Sequence, residues 1–129
     1  RQKMFNHIMV GVNDLEASKR FYDAVFAAMG VGPGIAGKSR YYYRSATGTL
    51  GIITPINGKA ATHANGGTIG LTMQSQEEVD AFHAAAVANG GTTCEDPPGL
   101  REGPSGKMYL AYVRDPDGTK FCAVYRYAK

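Results

Sequence analysis

Residues 114–126 read Arg-Asp-Pro-Asp-Gly-Thr-Lys-Phe-Cys-Ala-Val-Tyr-Arg, a tight turn followed by an alternating β-strand pattern. In the turn at 115–118 the proline presets φ, the aspartates can bond the nearby backbone, and the glycine can adopt a positive φ. Strand-forming runs at 107–114 and 119–127 flank this turn, which predicts a hairpin near the end of the chain. Cys122 lies at the centre of the last strand, and its role bears on the function.

The chain contains one unit twice, at a constant offset of 61 residues. Residues 7–30 and 68–91 each read as a strand, a capped helix start, an amphipathic helix and a terminal glycine. Phe21 in the first helix, for example, corresponds to Phe82 in the second. An internal repeat of this kind predicts two copies of one supersecondary unit.

Both helix starts carry a capping pattern. Ser75 and Glu78 have capping-box spacing, so the hydroxyl can accept a backbone N–H while the carboxylate reaches back. In the first copy Asn13 and Glu16 stand in the same relation, and we expect Asn13 to cap that helix.

β-type sequence follows each helix. In the first copy, strands are expected at 39–46 and 49–56, and shorter strands are expected near 34–38 and 91–95. Residues 95–106 contain Pro, Gly and charged residues and are expected to form a long loop. Loops of this length in compact domains are often functional.

These elements predict an α+β fold of two βαβββ modules that form a half-open barrel. A chain of 129 residues favours a single domain, residues 1–129. Module 1 is expected at about 4–56, a linker at 57–67 and module 2 at about 68–127.

The strands of the repeat have two different faces. Ile8 and Val10 alternate with His7 and Met9, and the aliphatic face is expected to pack under the helices. The other face is smaller and more polar, and it then points away from the helices. Two such sheets side by side predict a half-open cup lined by His7, Thr68 and their neighbours.

The composition fits a globular protein, since 43% of the residues are hydrophobic and 19% are charged. The net charge of +3 is spread without a basic cluster, so nucleic acid is not an expected partner. No apolar run approaches the length of a membrane span, and the start lacks the apolar core of a signal peptide. Two cysteines are too few for a disulfide framework, so we expect a cytoplasmic protein with free thiols.

The opening strand and helix at 7–22, the Ala-Phe-His-Ala-Ala-Ala run at 81–86 and the Tyr-Val-Arg-Asp-Pro-Asp-Gly segment at 112–118 resemble the vicinal oxygen chelate superfamily. That superfamily includes glyoxalase I (lactoylglutathione lyase), bleomycin- and fosfomycin-resistance proteins, and extradiol dioxygenases. The resemblance covers roughly residues 4–127. It implies the paired βαβββ fold and a homodimer, but no single reaction, because many activities share this scaffold.

In metal-dependent members of the superfamily, His, Glu or Gln side chains on four cup strands hold a divalent metal. The resemblance places the corresponding positions at His7, Thr68, Cys122 and a residue of strand 49–56, a strand without His, Asp, Glu, Gln or Cys. A catalytic site typically has three protein ligands, and a thiol is soft where imidazole and carboxylate are preferred. We therefore expect no cofactor. If a divalent metal is bound, His7 and Cys122 are its candidate ligands.

Two residues are candidates for catalysis, each with a structural alternative. His7 is either an acid/base or hydrogen-bonding group at neutral pH, or a leftover ligand position. Cys122 is either a nucleophile or, as free cysteines usually are, a small buried hydrophobe.

The run at 40–44 alternates so that Arg40, Tyr42 and Arg44 share one face. If that face lines the cup, it can bind an aromatic or anionic ligand; ordinary strand composition is the alternative, because Tyr is a good strand former. Tyr109 and Tyr112 lie on opposite faces of one strand, so at most one faces the cup. The candidate ligand-binding residues, which include polar groups in or beside the long loop, are Met9, Tyr42, Arg44, Thr68, Arg101, Lys107 and Tyr109.

The leading functional hypothesis is a small-molecule-binding cup without the usual metal of the superfamily. The cup would either sequester a ligand or act by acid/base chemistry through His7. One alternative is a metal-dependent lyase, isomerase or dioxygenase with a rearranged ligand set that recruits Cys122, His63 or a dimer partner. A second alternative is a dimeric module without a ligand. No membrane partner is expected.

Overall fold

The computed structural model describes residues 4–104 and 106–127, so that residues 1–3, 105, 128 and 129 of the predicted domain lie outside the described residues. The elements follow the order β-α-β-β-β twice. They are β1 His7–Gly11, α1 Leu15–Ala27, β2 Ile35–Gly37, β3 Arg40–Ser45, β4 Gly48–Ile53, β5 Ile69–Thr72, α2 Gln76–Ala88, β6 Thr92–Gly103, β7 Gly106–Arg114 and β8 Lys120–Arg126.

Each module forms its own four-stranded mixed sheet, and the predicted α+β fold of two βαβββ modules is confirmed. The strand orders are β1-β4-β3-β2 and β5-β8-β7-β6, with the first two strands of each order parallel. Neither sheet closes. β1 and β5 therefore occupy corresponding edges of the two sheets, as the internal repeat requires.

A side-chain cap marks the start of each helix. Ser75 accepts the amide of Glu78 at 3.1 Å, as predicted, and the Glu78 carboxylate reaches back to the Gln74 amide. The predicted cap Asn13 is wrong, because the neighbouring Asp14 accepts the Ala17 amide at 3.0 Å. Neither helix of the described residues is long and apolar enough to cross a membrane.

One hydrophobic core joins the two modules. It contains both helices and the helix-facing side chains of both sheets, so the other face of each sheet lies outside it. Tyr22 of α1 shows this clearly, since its ring packs 5.9 Å from Phe121 of β8 and its hydroxyl donates to Asp115 at 2.5 Å. Module 1 thus supplies part of the core of module 2.

The Asp-Pro-Asp-Gly turn is a junction between the modules. Asp115 also accepts the amides of Asp117 and Thr119, each at 2.9 Å, which fixes the turn. Asn13 donates its side-chain amide to Asp117 at 2.9 Å and binds the backbone of Ala61 in the segment between the modules. Asn13 therefore links the end of β1, the connecting segment and the turn instead of capping a helix.

The long loop predicted at 95–106 is wrong, because most of it belongs to β6. The pairing of β6 with β7 shifts register between Cys94 and Gly99, and the intervening residues, including Pro97 and Pro98, form a bulge. Proline lacks the N–H needed for ladder pairing, and bulges tolerate it. β6 runs to Gly103, and β7 begins at Gly106.

Candidate functional site

The face of the first sheet that points away from the helices carries four of the predicted candidates: His7, Met9, Tyr42 and Arg44. Strand register places His7, Thr49 and Arg44 in one row across three strands, and Met9, Gly51 and Tyr42 in the next. Partners across a sheet share a face. We call this surface the Tyr42 face, and it comprises His7, Met9, Arg40, Tyr42, Arg44, Thr49 and Gly51.

Because Gly51 has no side chain, the side chains of Met9 and Tyr42 can lie along the Tyr42 face. A Cβ atom at Gly51 would stand 2.5 Å from Sδ of Met9 and 3.2 Å from Cδ1 of Tyr42. On the other side of the ring, a Cβ atom at Gly37 would stand 3.3 Å from Cε2 of Tyr42. The tyrosine ring therefore lies along the sheet between two glycines.

Two arginines flank this ring. The guanidinium carbon of Arg44 lies 5.4 Å from the ring centre of Tyr42, in cation–π range. Arg40 places Nη1 3.4 Å from the Tyr42 hydroxyl, and its Nε donates to the Lys38 carbonyl at 2.8 Å. The Tyr42 face thus combines one aromatic ring with two permanent positive charges.

Tyrosines 41 and 43 face the other way and hold the sheet to α1. Tyr41 donates to Glu16 at 2.8 Å, and Tyr43 donates to Asp23 at 2.7 Å. Tyr43 is buried. The alternation in the 40–44 run therefore separates structural tyrosines from the one that is presented outward.

His7 lies at the edge of the Tyr42 face. Its Nδ1 is 2.7 Å from the side-chain oxygen of Asn6, and because an amide oxygen only accepts, Nδ1 donates. In the neutral ring Nε2 is then left as an acceptor, available to a ligand hydroxyl or acid proton.

The outward face of the second sheet carries a different polar cluster. Cys94, Tyr112 and Cys122 lie in one row across three strands, with Gly70 next along. The ammonium of Lys120 lies 4.7 Å from the ring centre of Tyr112 and pairs with Glu95. Tyr112 on this face was not among the predicted ligand-binding residues.

Cys122 has the properties of a structural thiol. It is 9% exposed. Burial raises the pKa of the Cys122 thiol above its ordinary value, against the opposing effects of the Tyr112 hydroxyl and the Lys120 ammonium. A thiol that stays protonated is a weak nucleophile, so the geometry favours the buried-hydrophobe interpretation over the catalytic one.

The other four predicted ligand-binding residues lie outside the Tyr42 face. Tyr109 and Lys107 share the helix-facing side of β7, where Tyr109 donates to Asp80 of α2 at 2.8 Å, so the expectation that Tyr109 lines the cup is wrong. Arg101 lies within β6, where it donates to the carbonyl of Pro97 in the bulge at 3.1 Å. Thr68 precedes β5 and is exposed.

The alternation within β7 does not decide between the two tyrosines. Tyr109 lies on the same side of the strand as Ala111 and Val113, and Tyr112 lies on the same side as Leu110. All three of these apolar residues are buried, so the sequence of β7 shows no single apolar face.

A cleft of about 530 Å³ lies between the modules. Its walls come from the edge strands β1 and β5, and its apolar base includes Phe26, Tyr43 and Leu50. His7 and Thr49 line both the cleft and one row of the Tyr42 face. The volume is in the range of small-molecule sites.

The metal-ligand positions implied by the family resemblance do not come together in one chain. Across residues 4–104 and 106–127, no group of three or more His, Cys, Asp or Glu side chains converges. His7 and Cys122 lie on different sheets, and no strand Cα of one described sheet comes within 8 Å of the other. His63 lies against Gly118 of the turn. The described side chains of one chain therefore provide no complete ligand set for the family's metal, and the expectation of a metal-free cup stays a prediction.

Comparison with known proteins identifies the family. The sequence model of the Glyoxalase/Bleomycin resistance protein/Dioxygenase superfamily matches residues 4–123. The chain belongs to this superfamily. Curated protein sequences contain no match to the chain.

Among solved structures, a glyoxalase/bleomycin resistance protein from Albidiferax ferrireducens T118 is 67% identical, with a TM-score of 0.93 over 95% of this chain and 99% of that one. A glyoxalase-related enzyme from Fulvimarina pelagi is 25% identical, with a TM-score of 0.74 over 97% and 89%. A lactoylglutathione lyase from Agrobacterium tumefaciens is 18% identical, with a TM-score of 0.65 over 96% and 94%. This last likeness concerns the fold alone.

Proposed function

We propose that this superfamily member binds a small molecule on the Tyr42 face without the family's usual metal. The observation that carries the proposal is the convergence of His7, Met9, Tyr42 and Arg44 in two adjacent rows of one sheet. His7 and Thr49 of the first row also line a cleft large enough for a small molecule. His7 supplies the group for hydrogen bonding or acid/base chemistry, through a free Nε2.

We further propose that the protein works as a homodimer in the cytoplasm. In one chain, the outward faces of the two sheets do not meet, and β1 and β5 each leave an unpaired strand edge among the described residues. Unpaired edges are ready templates for pairing with another chain. Light scattering of the full chain at micromolar concentration tests this, and a monomer at every concentration would contradict it.

Ligand binding is tested by a thermal-shift screen of metabolites and antibiotics, followed by calorimetric titration of each hit. A ligand that binds only the native state stabilises it by about 2.7 kcal/mol at 100 times Kd. The variants Tyr42→Leu and His7→Ala should lose the shift, whereas Tyr109→Phe, altered on the helix-facing side, should keep it. Absence of any hit would favour the ligand-free module.

Metal analysis of untagged protein distinguishes the metal-free proposal from the metal-dependent alternative. We expect no stoichiometric divalent metal. A stoichiometric Ni, Zn, Mn or Fe that is lost on His7→Ala would overturn the metal-free proposal. Glyoxalase activity on a hemithioacetal, abolished by a chelator, would then support a lyase with a rearranged ligand set.

A further inference from the structure

We infer that the ligand of the Tyr42 face is a planar aromatic acid, a carboxylate carried on an aromatic ring. This inference rests on the proposed function and adds the chemical class of the ligand. Three features of the face support it: its charge, its flat ring and the position of one relative to the other.

The Tyr42 face is positive and has no carboxylate of its own. Its charged side chains are Arg40 and Arg44, and neither forms an ion pair with any residue that the structure describes. The nearby acids Glu16 and Asp23 are engaged on the opposite side of β3 by tyrosine hydroxyls. An anion is the group that two unpaired guanidiniums recognise best, because each offers several N–H donors in a fixed plane.

The Tyr42 face is also flat at its centre. The ring of Tyr42 lies between Gly51 and Gly37, at positions where any other residue would place a Cβ atom 3.2–3.3 Å from the ring. The ring therefore lies along the sheet, and the guanidinium of Arg44 lies over it. Met9, which is 36% exposed, extends this apolar surface across Gly51. Rings stack on such a surface with a preference over saturated groups.

The charge and the ring are close enough to be used together. The guanidinium of Arg44 is 5.4 Å from the Tyr42 ring centre, and Arg40 reaches the hydroxyl end of the same ring. A ligand ring that takes the place of the Arg44 side chain over Tyr42 would hold its own carboxylate beside one of these guanidiniums. A neutral aromatic compound would stack only on the Tyr42 ring, and an aliphatic acid would pair only with the arginine guanidiniums.

Three probes of similar size separate these cases: benzoate, cyclohexanecarboxylate and benzamide. Each is titrated into the full-length protein and followed by the amide NMR signals of Gly37 and Gly51. We expect benzoate to bind at least about threefold more tightly than cyclohexanecarboxylate, which keeps the charge without the flat ring. Benzamide, which keeps the ring without the charge, should bind about tenfold more weakly or worse.

Variants of Arg44 and Tyr42 test which residue provides the charge and which provides the ring that the ligand contacts. Arg44→Gln should weaken benzoate about tenfold and leave benzamide unchanged, whereas Tyr42→Leu should weaken both. Arg20→Gln, an exposed arginine of α1, is the matched control and should change neither. Thermal unfolding of each variant confirms that it is folded.

The outcomes distinguish a wrong ligand class from a failure of the proposed binding face. Benzamide or cyclohexanecarboxylate binding as tightly as benzoate overturns the assignment of an aromatic acid, while the proposed binding face stands. Benzoate binding that is unaffected by both Arg44→Gln and Tyr42→Leu also overturns it. If no compound in the broader screen or among these probes shifts Gly37 or Gly51, the proposed function fails and this inference fails with it.

Discussion

The hydroxyl of Tyr22 in the first helix donates a 2.5 Å hydrogen bond to Asp115, the first residue of the Asp-Pro-Asp-Gly turn. The two residues are 93 positions apart, and both are almost completely buried. Burial raises the pKa of the Asp115 carboxyl, although its hydrogen bonds oppose this effect. The contact ties module 1 to the last hairpin of module 2.

Replacing Tyr22 with Phe should destabilise the protein by about 1–3 kcal/mol, because a buried carboxylate loses a donor while the ring packing is kept. Chemical denaturation measures the free energy of unfolding. Tyr41→Phe is the control, since it removes an exposed hydrogen bond to Glu16 and should change stability by less than about 0.5 kcal/mol. Equal losses of stability in both variants would show that the buried Tyr22–Asp115 hydrogen bond stabilises the fold no more than the exposed Tyr41–Glu16 bond.

Asp23 and Asp115 should contribute to the pH dependence of the free energy of unfolding with opposite signs. Burial acts to raise the pKa of Asp23, but hydrogen bonds from Lys19, the Gly34 amide and Tyr43 outweigh it and leave this pKa below its ordinary value of 3.8. The stabilisation by Asp23 is therefore complete above that value and is lost as the pH falls through the folded-state pKa. At Asp115, whose pKa is raised, stabilisation is present at low pH and is lost as the pH rises.

Urea unfolding of Asp23→Asn and Asp115→Asn from pH 3 to pH 7 tests these signs. The stability of the unaltered protein relative to Asp23→Asn should shrink toward low pH. Relative to Asp115→Asn, it should shrink toward high pH. Parallel curves for the two variants would contradict both pKa assignments.

Gly51→Ala should separate binding from stability. The new methyl group would overlap Met9 and crowd Tyr42, but both contacts are with the ends of side chains that can move outward. We expect a change in stability within about 1 kcal/mol and a loss of ligand binding on the Tyr42 face. Gly70→Ala, at an edge position where a Cβ atom meets nothing within 4 Å, should affect neither.

The two thiols should differ in reactivity. Cys122 is buried and its pKa is raised by that burial, whereas Cys94 is partly exposed. Iodoacetamide at pH 8 should alkylate Cys94 first and Cys122 only slowly, as read by peptide mass spectrometry. In urea the two rates should become similar. Fast alkylation of Cys122 in the folded protein would reopen its catalytic interpretation.

The repeat and the strand alternation were sufficient to predict both modules, because burial on one face leaves a period-two pattern that the sequence displays directly. Tyr42 and Arg44 could be assigned to one face for the same reason. The loop predicted at 95–106 failed because Pro97 and Gly99, which normally interrupt a strand, here occupy a bulge between two paired stretches. Local composition does not distinguish the two cases.

Other features depend on how the modules pack and leave no local signal. Asn13 and Asp14 are both good caps, and the choice between them is made by the bonds of Asn13 to Ala61 and Asp117, residues far along the chain. The cleft beside His7 likewise exists only because β1 and β5 belong to separate sheets. Sequence periodicity describes each module and says little about the space between them.

The single core shared by the two repeats has a consequence for the origin of the chain. Tyr22 and Phe21 of the first repeat cover Asp115 and Gly91 of the second, and side chains of both repeats belong to one hydrophobic core. The chain has the form of a two-subunit assembly whose subunits were joined by the segment at 54–68. Gene duplication and fusion would produce this arrangement, and the two halves, expressed as separate polypeptides, should reassociate into one folded particle.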